Sequence, residues 1–379
     1  MALTKKIAVI LGTRPEAIKL APVIDRFSKD KRFKVVIIST AQHRDMLDQV
    51  LSLLNIVPDY DLNIMTANQS INDVTTACLH GVRGILEQEC PDMVLVQGDT
   101  TTVFASALAC FYQRIPVAHV EAGLRTNDKF SPYPEEINRR LASVLSDLHF
   151  APTAWARENL IRENIPPEQI FVTGNTVVDA LLDVASKPSE CTDLIPQFAD
   201  FRKLVDKFIL VTAHRRESFG APFRDMCLAM SDIIAANPDV GIVYPVHPNP
   251  NVRKTVQEVL HNNPRVLLLE PLDYLSFVQL MKQSCLVLTD SGGIQEEAPS
   301  LGKPVLIMRE KTERQEGVEA GVTRLVGTTR KGIVESVNLL LGSATEYKKM
   351  ATGHNPFGDG TAARQIVDRV ADYICIKVK

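Results

Sequence analysis

The feature that most constrains the fold is a repeated alternation, in which a short run of β-branched residues is followed by a longer stretch of helical periodicity. "KIAVIL" precedes a helix expected over 15–28, and "KVVIIST" one over 43–54. A further helix is expected over 71–88; "DMVLVQG" then precedes 101–112 and "PVAHV" precedes 135–145. None of these runs alternates polar with apolar residues, so each strand must be buried on both faces. Helices on both sides of a mostly parallel sheet meet that demand. The pattern restarts at "KFILVTAH" (207–214) and continues through "VGIVYPVH", "RVLLLEP", "CLVLTDSGG" and "KPVLIM". Two doubly wound, Rossmann-like α/β/α domains with a cleft between them are therefore expected, as the length of 379 residues also favours. Between the two series, 187–206 ("KPSECTDLIPQFADFRKLVD") carries two prolines and weak periodicity and reads as the linker. The end, "NPFGDGTAARQIVDRVADYICIKV", reads as a turn and a terminal helix capped near Asp359 or Thr361.

Composition narrows the function classes. A net charge of -3, with 23% charged residues, leaves no polyanion-binding signature, so no nucleic-acid partner is expected. The seven cysteines are scattered with no Cys-x-x-Cys pair, which argues for reduced core thiols and for no metal site. The opening "MALTKKIAVILGTR" stops being apolar at Leu11 and has no cleavage site, so it reads as a first strand. No apolar run approaches the ~18 residues that a membrane span needs, so a cytoplasmic protein without membrane insertion is expected.

The stretch "LTDSGGIQEEAPSLGKP" (288–304) places two glycines and two glutamates at the carboxyl end of a buried strand. Ligands of open parallel sheets bind there, where loops and helix amino ends converge. Ser291 can cap a helix beginning at Gly292 and Gly293, and the absent side chains let a phosphate reach unpaired amides. Glu297 lies one turn along from Gly293, a separation suited to a phosphate at one end and a ribose diol at the other. Arg314, in "EKTERQEGVEAG", can reach a diphosphate, and Phe277 offers a flat platform for a base. A nicotinamide cofactor is disfavoured. The first turn, "ILGTRPEA", has one glycine rather than three, and the second strand ends "IISTAQ" without the acid that a ribose hydroxyl needs. Arg14 in that turn, with Pro15 restraining the helix start, reads as a charge aimed at an anion.

Eight ordered blocks carry a resemblance over essentially the whole chain: "GTRPEAIKLAP", "GDTTT", "HVEAGLRT", "PEEINRR", "TGNTVVDAL", "HRRESFG", "YPVHPNP" and "DSGGIQEEAPSLGKPVL". Together they resemble the non-hydrolysing UDP-N-acetylglucosamine 2-epimerases. The resemblance implies two domains of GT-B type, a sugar-facing one of residues 1–172 plus a returning helix at 362–379, and a UDP-binding one of residues 173–361. The join is thus implied nearer 172 than the linker-like stretch suggests. It further implies interconversion of UDP-GlcNAc and UDP-ManNAc by elimination of UDP to 2-acetamidoglucal and re-addition, with no cofactor.

That route needs a base near carbon 2, a cationic or acidic partner for departing phosphate, and protection of the intermediates from water. By matching motifs, Asp99, Glu121, Glu135 and His214 occupy the catalytic positions. Three carboxylates around one pocket repel, so at least one is expected to hold its proton near neutral pH, and which acts as base in each direction stays open. Ordinary readings stand beside these roles: Asp99 as a helix cap, Glu135 as a first-turn acid, and His214 as a phosphate partner beside Arg215 and Arg216. The resemblance carries Arg14, Ser291, Gly292, Gly293 and Arg314 to the diphosphate, Phe277 to the uracil and Glu297 to the ribose, with Lys19 and His247 also in the site. Gln42, His43 and Gln69 are its candidates for a second, activating UDP-GlcNAc, with helix capping as their alternative. A homodimer is implied too. One departure is Gln315, where many relatives carry proline after "TER", which is expected to loosen the loop holding Arg314. A hydrolysing epimerase releasing ManNAc and UDP, a GT-B glycosyltransferase and a UDP-sugar binding protein are the competing readings.

Overall fold

The computed structural model describes residues 4–42, 44–66 and 69–377, with side chains described except at 44–46, 376 and 377. Its two compact units comprise Met1–Ala180 with Phe357–Lys379, and Leu181–Pro356.

The first unit holds a seven-stranded sheet: β1 (Lys5–Leu11), β2 (Phe33–Ser39), β3 (Tyr60–Asp61), β4 (Met93–Gln97), β5 (Val117–Val120), β6 (Leu148–Ala151) and β7 (Ile170–Val172). Its order is β3-β2-β1-β4-β5-β6-β7, with every pairing parallel. The second unit holds β8 (Lys207–Thr212), β9 (Val240–Pro245), β10 (Val266–Leu269), β11 (Leu286–Thr289), β12 (Val305–Ile307) and β13 (Thr323–Leu325). These run β10-β9-β8-β11-β12-β13, again all parallel. Both sheets therefore reverse strand order beside their first strand, between β1 and β4 and between β8 and β11, and the loops at those reversals are where a ligand crevice forms in such sheets.

Burial on both faces explains the unalternating strands. In the second unit, Ile209 and Val211 enter one apolar cluster with Tyr244, Leu286 and Leu306. Their neighbours Phe208 and Leu210 enter the opposite one with Val243, Val287 and Val305. The expected helices are found at Arg14–Lys29, Arg44–Leu53, Ile71–Glu89, Thr101–Tyr112 and Glu135–Leu145. Among the described residues, no helix is long and apolar enough to cross a membrane.

One expectation needs correction. The stretch 187–206 is not a linker but part of the second unit's core. Its short helices, Cys191–Leu194 and Phe198–Arg202, bury Cys191, Ile195, Phe198 and Phe201. Phe198 meets Phe208 edge-on at 5.4 Å, and Gly241 admits Phe201 so closely that a Cβ there would lie 2.7 Å from its ring. The terminal helix, Ala362–Lys377, begins directly after Thr361, as the sequence led us to expect. Asp359 accepts the Thr361 amide and hydroxyl, while the helix's own first amides, at Ala362 (3.3 Å) and Ala363 (2.9 Å), donate to Asp179 of the helix Thr176–Ser186. That buried carboxylate ties the end of the chain to the first unit, where the terminal helix packs on Arg14–Lys29.

Candidate functional site

In the first unit, the sequence Thr-x-x-Glu at 13–16 opens the helix Arg14–Lys29 with a capping box. Thr13 is the cap and Pro15 lies in the first turn. The Glu16 carboxylate accepts the amides of Gly12 (2.5 Å) and Thr13 (3.0 Å) on one oxygen and the Thr100 hydroxyl (2.5 Å) on the other. It thus stitches the loop after β1 to the loop after β4. Burial pushes its carboxyl up to about 7 against the pull of those three hydrogen bonds. Gly12 is obligatory there, since a Cβ would fall 2.2 Å from Thr40 Oγ1 and 2.6 Å from Thr102 Oγ1.

Asp99 follows β4, but the cap of the helix Thr101–Tyr112 is Thr100, whose hydroxyl accepts the Val103 amide. Asp99 is therefore spared the capping role that its position suggested. Its carboxylate pairs instead with Arg139, and its carbonyl accepts Asn138 Nδ2 at 3.0 Å. Both partners lie on the helix Glu135–Leu145, which carries Glu135 at its amino end. The second glutamate of that pair, Glu136, is fully buried and ties down the loop before the helix: it accepts the amides of Thr126 and Asn127 and pairs with Arg139 and Arg140.

Glu121 follows β5 in the left-handed backbone region, φ 64°, a conformation that costs about 1 kcal/mol or more for a residue with a Cβ. Its buried carboxylate receives Lys19 Nζ at 2.6 and 2.7 Å, Asn175 Nδ2 at 2.9 Å, and Gln97 Nε2. A Cβ on Gly98 would come within 3.7 Å of Glu121 Oε2, so the β4 loop passes close by. Beneath it, His119 Nε2 donates to the Gly98 carbonyl at 2.7 Å, and burial lowers that imidazole to about 3, keeping it neutral. Burial raises Glu16 toward neutrality, while Asp99 pairs with Arg139 and Glu121 with Lys19. A cavity of about 430 Å³ in this unit is lined by Thr13, Gln42, Gln69, Thr100 and Glu135. Gln42 also accepts the Thr102 hydroxyl at 2.9 Å. His43 lies outside the described residues. Arg14 is half-buried at the helix start.

In the second unit, the loops after β8, β9, β11 and β12 carry the remaining candidates. His214 and His247 stack, with ring centroids 5.2 Å apart and planes 13° apart. Ser291 sits at the cap position of the short helix Gly292–Glu297, but its side chain makes no capping bond; its amide donates to Thr289. Gly292 lets the 309–314 loop approach, a Cβ there meeting Glu313 Oε1 at 3.0 Å, while Gly293 faces open space. Of the two adjacent glutamates, Glu296 is buried and pairs with Arg314 Nε at 2.8 Å, whereas Glu297 accepts the Tyr274 hydroxyl at 3.2 Å. Arg314 also meets Glu313 at 2.9 Å, and Arg309 meets Glu313 at 2.8 Å. Burial alone would raise Glu313, but Arg314 and Arg309 hold it down to about 2. Phe277, on the helix Tyr274–Gln283, packs partly buried against the core. Gln315 begins the helix Gln315–Glu319 and donates back to the Thr312 carbonyl at 2.8 Å, a hydrogen bond where a proline ring would have supplied stiffness.

The structure thus brings Lys19 to Glu121, the helix of Glu135 to Asp99, Gln42 and Gln69 to one cavity, and Arg314 to the glycine turn. It adds Glu16, Gln97, Arg139, Asn175, Asp290 and Glu313, which the sequence reasoning did not single out. The capping box would have revealed Glu16 and the motif "TDSGG" contains Asp290; nothing local marks Gln97 or Asn175. Among the described residues, no group of three or more His, Cys, Asp or Glu side chains is arranged to hold a metal ion.

The family described as UDP-N-acetylglucosamine 2-epimerase matches residues 25–371. A UDP-N-acetylglucosamine 2-epimerase of Salmonella typhimurium is 54% identical over 371 residues, covering 97% of this chain and 99% of that protein. Among solved structures, the UDP-GlcNAc 2-epimerase of Neisseria meningitidis bound to UDP-GlcNAc is 48% identical with a TM-score of 0.86, covering 97% of this chain and all of that one (100%). The Methanocaldococcus jannaschii enzyme in complex with UDP-GlcNAc and UDP is 38% identical with a TM-score of 0.77, covering 97% and 99%. With two doubly wound parallel sheets of the GT-B epimerase kind and a match along nearly its whole length, the chain belongs to the UDP-N-acetylglucosamine 2-epimerase family.

Proposed function

We propose that this chain interconverts UDP-N-acetylglucosamine and UDP-N-acetylmannosamine by inverting carbon 2 of the sugar, without hydrolysing the nucleotide sugar. One observation supports the reading most: Glu121 is kept at a left-handed backbone position with a lysine and two amides on its carboxylate. Holding a nucleotide alone would not require an acid preorganised at such backbone cost. The ligands of the Neisseria and Methanocaldococcus relatives support the substrate.

The hydrogen on carbon 2 has no adjacent carbonyl to acidify it, so direct removal is closed. In the proposed route the bond from carbon 1 to the diphosphate oxygen breaks with its electron pair leaving on UDP, and a base takes the carbon 2 proton. The products are 2-acetamidoglucal and UDP. Re-addition returns a proton to carbon 2 on the opposite face and remakes the bond at carbon 1. No redox cofactor enters. We assign the proton transfers to Asp99, Glu121 and Glu135 of the first unit, with Lys19 paired to Glu121 and Arg139 holding Asp99. Arg14, Ser291, Gly292, Gly293 and Arg314 are assigned to the diphosphate, His214 and His247 to its departing charge, Phe277 to the uracil and Glu297 to the ribose.

A second UDP-GlcNAc as activator is supported by the cavity that holds Gln42 and Gln69 beside Glu135. A homodimer is supported by an exposed apolar stripe, Ile137, Leu141 and Val144, on the helix Glu135–Leu145, with Phe111 and Tyr112 on the helix packed against it. A cytoplasmic setting accords with seven unpaired cysteines. The deciding experiment is incubation with UDP-GlcNAc in deuterium oxide, followed by mass and NMR analysis. Deuterium at carbon 2 of both nucleotide-sugar epimers is expected. Free ManNAc with UDP would instead identify a hydrolysing enzyme, and unlabelled UDP-GlcNAc a binding protein.

A further inference from the structure

One buried oxygen in the second unit is left over by the surrounding loops. Asp290, at the end of β11, is fully buried. Its Oδ2 accepts the backbone amides of His214 (2.7 Å) and Arg215 (2.8 Å). Its Oδ1 is buried and accepts no hydrogen bond. A carboxylate oxygen stripped of water and left unpaired is costly, and such an atom marks an interaction completed in another state. Oδ1 stands 3.6 Å from Nδ1 of His214, just outside hydrogen-bond range. His247 stacks alongside the His214 ring with planes 13° apart, an arrangement that favours a pivot of that ring within its own plane.

We propose that Asp290 is a positioning residue for His214: Oδ1 receives the Nδ1 proton, fixes the imidazole with Nε2 turned away from the carboxylate, and sustains the imidazolium that an anionic ligand of this loop cluster requires. The remaining charges nearby make Asp290 the anion that fits this part. On His214's own loop stand Arg215, Arg216 and Glu217; from the loop after β9 comes His247; from the 309–314 loop come Arg309, Glu313 and Arg314. The arginines and His247 bring no negative charge to His214. Glu217 is engaged by Arg309, and Glu313 by Arg309 and Arg314. The inference rests on the proposed nucleotide site only for its choice of ligand, a diphosphate.

Histidine-labelled holo-length protein, with 15N signals of His214 and His247 assigned through His214→Asn and His247→Asn, tests it without turnover. The neutral His214 ring is expected to carry its proton on Nδ1, and its titration midpoint to fall by about one pH unit in Asp290→Asn, the size of effect that one close carboxylate exerts. Asparagine keeps an oxygen for the two backbone amides, so the loop bonding survives the change. UDP binding by calorimetry should weaken about tenfold in Asp290→Asn near pH 8 and converge with wild type as His214 protonates in acid. A midpoint that does not move, a wild-type Nε2–H tautomer, or a pH-independent loss of UDP affinity would each overturn the proposal. If Asp290→Asn does not fold, the wild-type tautomer decides alone. Failure of the epimerase reading would show separately, as absent deuterium exchange with these titrations intact.

Discussion

The two units share a strand order but arm it oppositely. Around the β1/β4 reversal of the first unit and the adjoining β5 loop stand the acids Glu16, Asp99 and Glu121, each holding a donor from another segment of that unit. At the β8/β11 reversal of the second, histidines and arginines surround a glycine turn, and acids such as Glu296 and Glu313 serve to aim the cations. Topology therefore dictates where a ligand can be met, while the residues at strand ends dictate what is done to it. An acid-rich end suits proton transfer, and a cation-rich one suits a diphosphate.

The sharpest way to break that contrast is Glu121→Gln. If Glu121 takes part in proton transfer as proposed, turnover should fall about 10³-fold, the usual scale for losing an acid–base group, while UDP affinity stays unchanged. Equal loss of both would erase the division of labour. Next comes the pH response of Glu16. Its folded-state carboxyl, at about 7, stands above the ordinary 4.5, so the native chain holds a proton there that the unfolded chain sheds. The stability this contributes is full below about 4.5 and is lost as pH rises through 7. Wild type should therefore lose on the order of 3 kcal/mol relative to Glu16→Gln between those limits, as measured by urea unfolding across pH. Arg314→Met should weaken UDP binding by about 1.5–3 kcal/mol, the worth of hydrogen bonds to a charged group, and leave the Glu16 response untouched. The smallest effect is expected for Gln315→Pro, within about 0.5 kcal/mol in thermal unfolding, since the ring's restraint and the lost bond to Thr312 offset each other.

Much of this contrast was legible in the chain itself. Strands buried on both faces leave unbroken Val/Ile runs, and the motifs "GDTTT", "HVEAG" and "DSGG" stand directly after them. What could not be read were pairings between distant segments. Asn175 reaches Glu121 across 54 residues and Asp290 reaches His214 across 76, whereas local spacing reports only neighbours on one helix or strand. The misread stretch 187–206 failed for a related reason. Its helices are single turns, too short to print a period, and the burial of Phe198 and Phe201 comes from a sheet that begins only afterwards. The unit boundary, within the helix Thr176–Ser186, carries no change of composition at all.

The bond between Asp179 and the amides of Ala362 and Ala363 has a bearing on biosynthesis. A ribosome delivers the first unit's sheet early but its closing helix last of all, so that unit must wait, with one flank of Arg14–Lys29 bare, while the whole of Leu181–Pro356 emerges. The unit that starts later is the first to have all of its sequence in hand, and nascent chains stalled just short of residue 357 would carry a finished second unit beside an unfinished first.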